Sequence, residues 1–175
     1  MKIYLVRHGQ VNHNLYKKYS TEDEDLNETG VKQAIILREK IKDLDFDIII
    51  SSPLIRATHT AKIININNKE IIFDDRIKER NPGSLNGQSI SVTNREDYWF
   101  YYSNVQYGTS ENIQEFFKRV YSFLDELKTK NYNNVLIVAH SGVSKAFSGY
   151  FEGIKDGKFL NRGLKNCEMK EYELK

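Results

Sequence analysis

Leu5-Val6-Arg7-His8-Gly9-Gln10 is the stretch whose reading decides the fold. An apolar run, Ile3 to Val6 with Tyr4 inside it, leads straight into an arginine, a histidine and a glycine. Such a run bounded by a glycine reads as a short, fully buried strand. Arg7 and His8 then emerge where the strand gives way to a loop, and Gly9 lets the backbone turn sharply with no Cβ in the way. In open α/β sheets, ligands sit in the crevice at the carboxyl ends of the strands. The two polar residues therefore stand where chemistry is expected.

The rest of the chain repeats this pattern. Gln10 to Asp25 is polar and reads as a loop with a short helix near Asn14 to Lys18, ending in the acidic, solvated run Glu22 to Asp25. Asn27 is a good N-cap for a helix ending near Asp43, with Gly30, Ala34, Leu37 and Ile41 at helical spacing. Phe46 to Ser51 reads as a second buried strand. Ser52 is expected to cap the next helix, with Pro53 in its first turn and Leu54, Ala57, Ala61 and Ile64 facing inward. Ile71 to Phe73 reads as a third strand. Ser110 is expected to cap a long helix carrying Ile113, Phe116, Phe117, Val120, Leu124 and Leu127. Val135 to Ala139 reads as a fourth strand, followed by a helix from Ser141 to Phe151 and a last edge strand within Glu168 to Leu174. Strands alternating with helices imply a three-layer α/β/α sandwich with a mostly parallel central sheet.

The length of 175 residues suits one domain, residues 1–175, with residues 80–109 as a short irregular cap over the site. Net charge is +2, with 26 basic and 24 acidic residues and no basic stripe, which argues against a nucleic-acid partner. No apolar run approaches the ~18 residues of a membrane span, so no membrane partner is expected. The single cysteine, Cys167, has no partner for an internal disulfide, and a cytoplasmic location is expected.

Three strand ends present polar residues at one sheet edge. The first gives Arg7 and His8. The second is followed by Ser51, Ser52 and then Arg56, and the fourth gives His140 with a helix starting behind it. Two arginines, two histidines and a helix N-terminus make an anion site, because arginine grips phosphate bidentately and helix N-termini offer unpaired N–H groups. A histidine inside such a site can serve as nucleophile or general base.

These residues resemble a known family. Leu5-Val6-Arg7-His8-Gly9, Ser51-Ser52-Pro53-Leu54-Ile55-Arg56-Ala57 with Thr60-Ala61, Glu79, and Val138-Ala139-His140-Ser141-Gly142 look like the motifs of the histidine phosphatase superfamily, with the phosphoglycerate mutase-like fold. Leu26 to Gly30 and Asn166 match further motifs. The resemblance implies that His8 is the nucleophile that becomes a phosphohistidine, and that Arg7, Arg56 and His140 hold the phosphate oxygens. It implies that Glu79 is the acid that protonates the leaving oxygen and then the base that activates water. Asn14, Ser141, Gly142 and Arg80 are further candidate substrate contacts. No cofactor and no metal are expected, because two guanidiniums and a histidine can supply the positive charge that phosphoryl transfer needs. Activity is expected to fall on both sides of a mildly acidic to neutral optimum.

The neighbouring readings differ in strength. Glu70, Asp74, Asp75 and Glu96 compete with Glu79, which is favoured by the pattern of Arg80, Gly83, Leu85 and Gly87. His13 and His59 read as bystanders. The aromatic cluster Tyr98 to Tyr102 reads either as packing or as a substrate lid, with Arg95 beside it as a further candidate contact. Asn86 stands where many family phosphatases carry a glutamate. The segment from Glu79 to Ser110 is short and aromatic where family mutases carry a large basic insert, and a mutase must shield its phosphorylated intermediate from water. The expected function is therefore hydrolysis of a small phosphorylated metabolite by a monomer or homodimer. Mutase-type transfer is the first alternative, and a catalytically weak phospho-ligand or protein-binding module is the second.

Overall fold

A computed structural model describes residues 1–159 and 163–175. In chain order the main elements are β1 (Lys2–Arg7), α1 (Asn12–Leu15), α2 (Glu28–Ile41), β2 (Ile48–Ser51), α3 (Ile55–Ile64), β3 (Ile71–Phe73), α4 (Arg95–Tyr98), α5 (Ile113–Leu127), β4 (Asn134–Ala139), α6 (Ser141–Glu152), β5 (Ile154–Lys155), β6 (Lys158–Phe159) and β7 (Met169–Glu173). Short 3-10 turns fill part of the stretch between β3 and α4. The sheet runs β3-β2-β4-β1-β7, parallel except for β7, which pairs antiparallel with β1. The fold is a mixed α/β sandwich around a mostly parallel sheet.

Alternation along the strands sends side chains to two cores. Ile3, Leu5, Val135 and Ile137 pack under α5 and α6, while Tyr4, Val6, Leu136 and Val138 pack under α2 and α3. Both faces are covered, so the strands read as continuous apolar runs. β1 and β4 are adjacent and in register, with Arg7 opposite Ala139, so their carboxyl ends deliver Arg7, His8 and His140 to one place.

Three local expectations are corrected. α3 starts at Ile55 with Leu54 as N-cap. Ser52 instead accepts the Leu54 N–H at 3.3 Å, and so braces the turn ahead of the helix. α5 is capped by Asn112, whose side chain accepts from the Gln114 and Glu115 N–H groups. Ser110 lies in the loop before it, its N–H donating to the Tyr107 carbonyl. The short helix after β1 covers Asn12–Leu15 and not 14–18, because Lys17 adopts a left-handed conformation that ends it. The β5–β6 hairpin, turning through Asp156 and Gly157, was outside the sequence reading.

Candidate active site

His8 follows β1 and is buried, 3% exposed. Its Nδ1 lies 2.7 Å from the Gly9 carbonyl oxygen, which can only accept, so Nδ1 carries the hydrogen and Nε2 keeps its lone pair. Burial, and then the Arg56 and Arg7 charges, push its pKa well below the usual histidine value. The ring is therefore neutral at physiological pH, the state a nucleophile requires.

His140 is the residue just before α6, and its ring centroid stands 5.1 Å from that of His8. Its Nε2 is 2.8 Å from Ser52 Oγ. With the Ser52 hydroxyl donating to Nε2, Nδ1 carries the ring hydrogen and is a donor. Burial first, then Arg56, lowers the His140 pKa as well.

Arg7 and Arg56 complete the cluster. Each anchors one Nη1 on a backbone carbonyl, Arg7 on Leu164 at 2.9 Å and Arg56 on Thr21 at 2.7 Å. Arg56 is only 2% exposed, and its Nη1 reaches the loop around Thr21. Arg7 Nε, Arg56 Nε and His140 Nδ1 are buried and have no hydrogen-bond partner among the described residues. Buried donors are normally paired, so three orphans from three elements mark a place for an oxygen-rich anion. Thr60 ties the pieces together: its hydroxyl donates to the Arg56 carbonyl and accepts the Gly9 N–H.

Glu79 reaches the cluster from the loop after β3. Its Oε2 accepts the Gly142 N–H at 3.0 Å and its Oε1 accepts the Arg80 N–H at 2.9 Å. A Cβ on Gly142 would meet Glu79 Oε1 at 2.0 Å and Trp99 Cη2 at 2.7 Å, so any side chain there would displace them. Arg119, from α5, holds the loop: its guanidinium donates to the carbonyls of Arg76, Lys78 and Glu79 and to both oxygens of Glu111. Nothing in the sequence pattern singled out Arg119. It sits on an amphipathic helix among ordinary surface charges, and only the fold brings Glu79 to it.

These residues open onto a cavity of about 710 Å³ lined by Arg7, His8, Asn14, Arg56, Glu79 and Ser141, among others. One substrate-contact expectation changes. The Gly142 N–H is taken by Glu79, so it is not available to substrate. Arg80 lines the cavity, but its Nε donates to the Glu111 carbonyl, its Nη1 to the Tyr98 carbonyl, and its guanidinium lies over the Tyr98 ring. It is thereby fixed as a brace for the cap. Asn14 lies on the cavity wall, its Oδ1 accepting from Asn166, whose Nδ2 also donates to the His8 carbonyl. His13 lines the cavity and pairs with Glu24, while His59 pairs with Asp25. Within the aromatic cluster, Tyr98 packs with Tyr19 and Leu85 in a small core of its own, and Trp99 lines the cavity. Among the described residues, no group of three or more His, Cys, Asp or Glu side chains is disposed to hold a metal, and no helix is long and apolar enough to cross a membrane.

Residues 3–175 match the family model of the histidine phosphatase superfamily (branch 1). The chain belongs to this superfamily. It is 34% identical to an uncharacterized phosphatase, PhoE, of Bacillus subtilis over 174 residues, covering 95% of this chain and 88% of the relative. It is 31% identical to phosphoserine phosphatase 1 of Hydrogenobacter thermophilus over 176 residues, covering 95% and 83%. A solved phosphoserine phosphatase mutant from Entamoeba histolytica, in complex with phosphoserine, superposes with a TM-score of 0.83 at 25% identity, covering 99% of this chain and 91% of that one. This histidine phosphatase is a phosphoric monoester hydrolase.

Proposed function

We propose that the protein hydrolyses small phosphomonoesters through a phosphohistidine at His8. The observation that carries this reading is the fixed tautomer of His8 beside three donors that have no partner among the described residues: a neutral nucleophile facing an anion cradle. In the first step the Nε2 lone pair attacks phosphorus, the ester P–O bond breaks, and Glu79 gives its proton to the leaving oxygen. Arg7 and Arg56 hold the non-bridging oxygens, with His140 Nδ1 beside them. In the second step Glu79 takes a proton from water, the new O–P bond forms and the N–P bond breaks, restoring His8. Positioning and fixed positive charge carry most of the acceleration in such transfers.

The test is phosphate release from p-nitrophenyl phosphate in EDTA. Wild type should turn over. His8→Ala should be inactive, and Glu79→Gln should fall by about 100-fold or more. An acid-labile phosphoryl group should be trapped on wild type by rapid quench and be absent from His8→Ala. Turnover that survives in His8→Ala would rule the reading out. The shortness of the segment over the site favours hydrolysis over transfer, since about thirty residues separate Glu79 from α5.

A further inference from the structure

Lys145 is a buried cation that the chemistry above does not use. It lies on α6 one turn beyond Ser141, is 7% exposed, and lines the same cavity. Among the described residues no carboxylate lies within ion-pair distance of it. Its Nζ sits 3.9 Å from the centre of the Trp99 ring. Burying an unpaired ammonium is costly, and a cation–π contact offsets only part of that cost. A fold that keeps such a group on a cavity wall leaves it a partner to be supplied from outside.

Its position tells which part of a substrate it would meet. The point where a Gly142 Cβ would lie is 2.0 Å from Glu79 Oε1 and 2.7 Å from Trp99 Cη2, so the acid and the indole abut one another there. Lys145 rests on that indole. Glu79 marks the leaving-group side of the site, so Lys145 stands on that side too. Two neighbours add to the same corner. Arg95, from α4, lines the cavity with its guanidinium 6.0 Å from the Trp99 ring centre and, among the described residues, only its Nη1 engaged in a hydrogen bond, with Tyr19 at 3.3 Å. The Trp99 indole N–H is buried with no partner among the described residues.

We propose that Lys145, with Arg95 beside it, is a specificity-determining subsite for a carboxylate carried on the leaving group of the substrate. The proposal rests on the phosphomonoesterase reading for which side is the leaving side. One ammonium with no carboxylate partner among the described residues and one half-engaged guanidinium suit a monoanion. A second phosphate would call for the fuller donor set found around His8.

The groups facing Lys145 are Arg95, Arg7 and Arg80, which lower its pKa, and Glu79, which raises it; burial is the largest cause, and the result is about 7. A bound carboxylate would favour the charged form. Binding at pH 8 should therefore take up a proton.

The experiment compares 3-phosphoglycerate with glycerol 3-phosphate, which share the phosphate and differ in the carboxylate. Wild type should prefer 3-phosphoglycerate in kcat/KM. Lys145→Met should lower that preference by about 30-fold, the loss on removing one member of a desolvated charge pair. A ratio unchanged within about twofold overturns the subsite. Calorimetry at pH 8 in buffers of different ionisation enthalpy, on His8→Ala so that the esters are not turned over, gives an independent readout that needs no change at Lys145. Proton uptake should be larger for 3-phosphoglycerate than for glycerol 3-phosphate. Equal uptake and equal affinity overturn the subsite even if Lys145→Met fails to fold. If neither ester is hydrolysed but 3-phosphoglycerate still binds tighter with extra uptake, the phosphatase reading falls and the subsite stands.

Discussion

His8 and His140 are folded in their neutral forms, and this ties stability to pH. Their unfolded pKa is near 6.5 and their folded values lie well below it. Between those values the unfolded chain binds more protons than the folded one. Their contribution is thus intact above about 6.5 and lost as pH falls. The melting temperature should drop between pH 7 and 5, and His140→Gln should drop less than wild type; parallel curves would contradict this. Lys145 shows the opposite balance of function and stability. Its folded pKa of about 7 lies below the ordinary 10.5, so its destabilising effect is full below pH 7 and fades toward 10.5. Lys145→Met should raise stability at pH 7 by about 2 kcal/mol, with a smaller gain at pH 10 in denaturant titrations. Arg7, His8, Arg56 and His140 were legible in the sequence because each follows a strand end or opens a helix in a spaced motif. Lys145 was not legible, because its meaning depends on an indole delivered by a remote loop.

At the scale of elements, boundaries were read less well than existence. All four parallel strands and the four longer helices stand where hydrophobic periodicity put them, and Asn27 caps α2 as expected, but the caps of α3 and α5 moved. Ser110 and Asn112 both suit an N-cap, and only the loop path decides between them. Asn112→Ala should cost about 1 kcal/mol while Ser110→Ala costs less, measured by urea unfolding. The β5–β6 hairpin carries an Asp156-Gly157 turn with positive φ at both residues, a signal the sequence did contain. The contact between the first loop and α2 was hidden. A Cβ on Gly30 would lie 2.1 Å from the Gln10 carbonyl oxygen, backbone against backbone. Gly30→Ala should therefore destabilise by about 2 kcal/mol or more, well beyond the gain Ala normally brings to a helix.

Across the whole molecule, the site is a junction of distant segments. Arg119 holds Glu79 by its backbone from α5 and touches neither His8 nor the guanidiniums in any hydrogen bond. It is a positioning residue. Arg119→Met should lower kcat by about 100-fold with KM little changed, since a small misplacement of an acid is costly; an equal rise in KM would point instead to substrate contact. The order of the motifs made the sheet predictable. The cap was expected only as an irregular segment, and its internal locking was not predictable, because Arg80, Tyr98 and Trp99 hold it through backbone carbonyls and ring faces that leave no periodic trace.

β1 lies between β4 and β7, strands that come much later in the chain. The carbonyls of Arg7 and His8 are met by Cys167 and Asn166, and the Arg7 side chain by Leu164. The nucleophile is thus translated 158 residues ahead of Asn166, which supports it. Until those residues follow, the growing polypeptide carries its histidine without a complete site around it. Catalytic competence should arrive abruptly, when β7 clears the ribosomal tunnel, so that chains stalled or terminated before it are inert toward cellular phosphate esters.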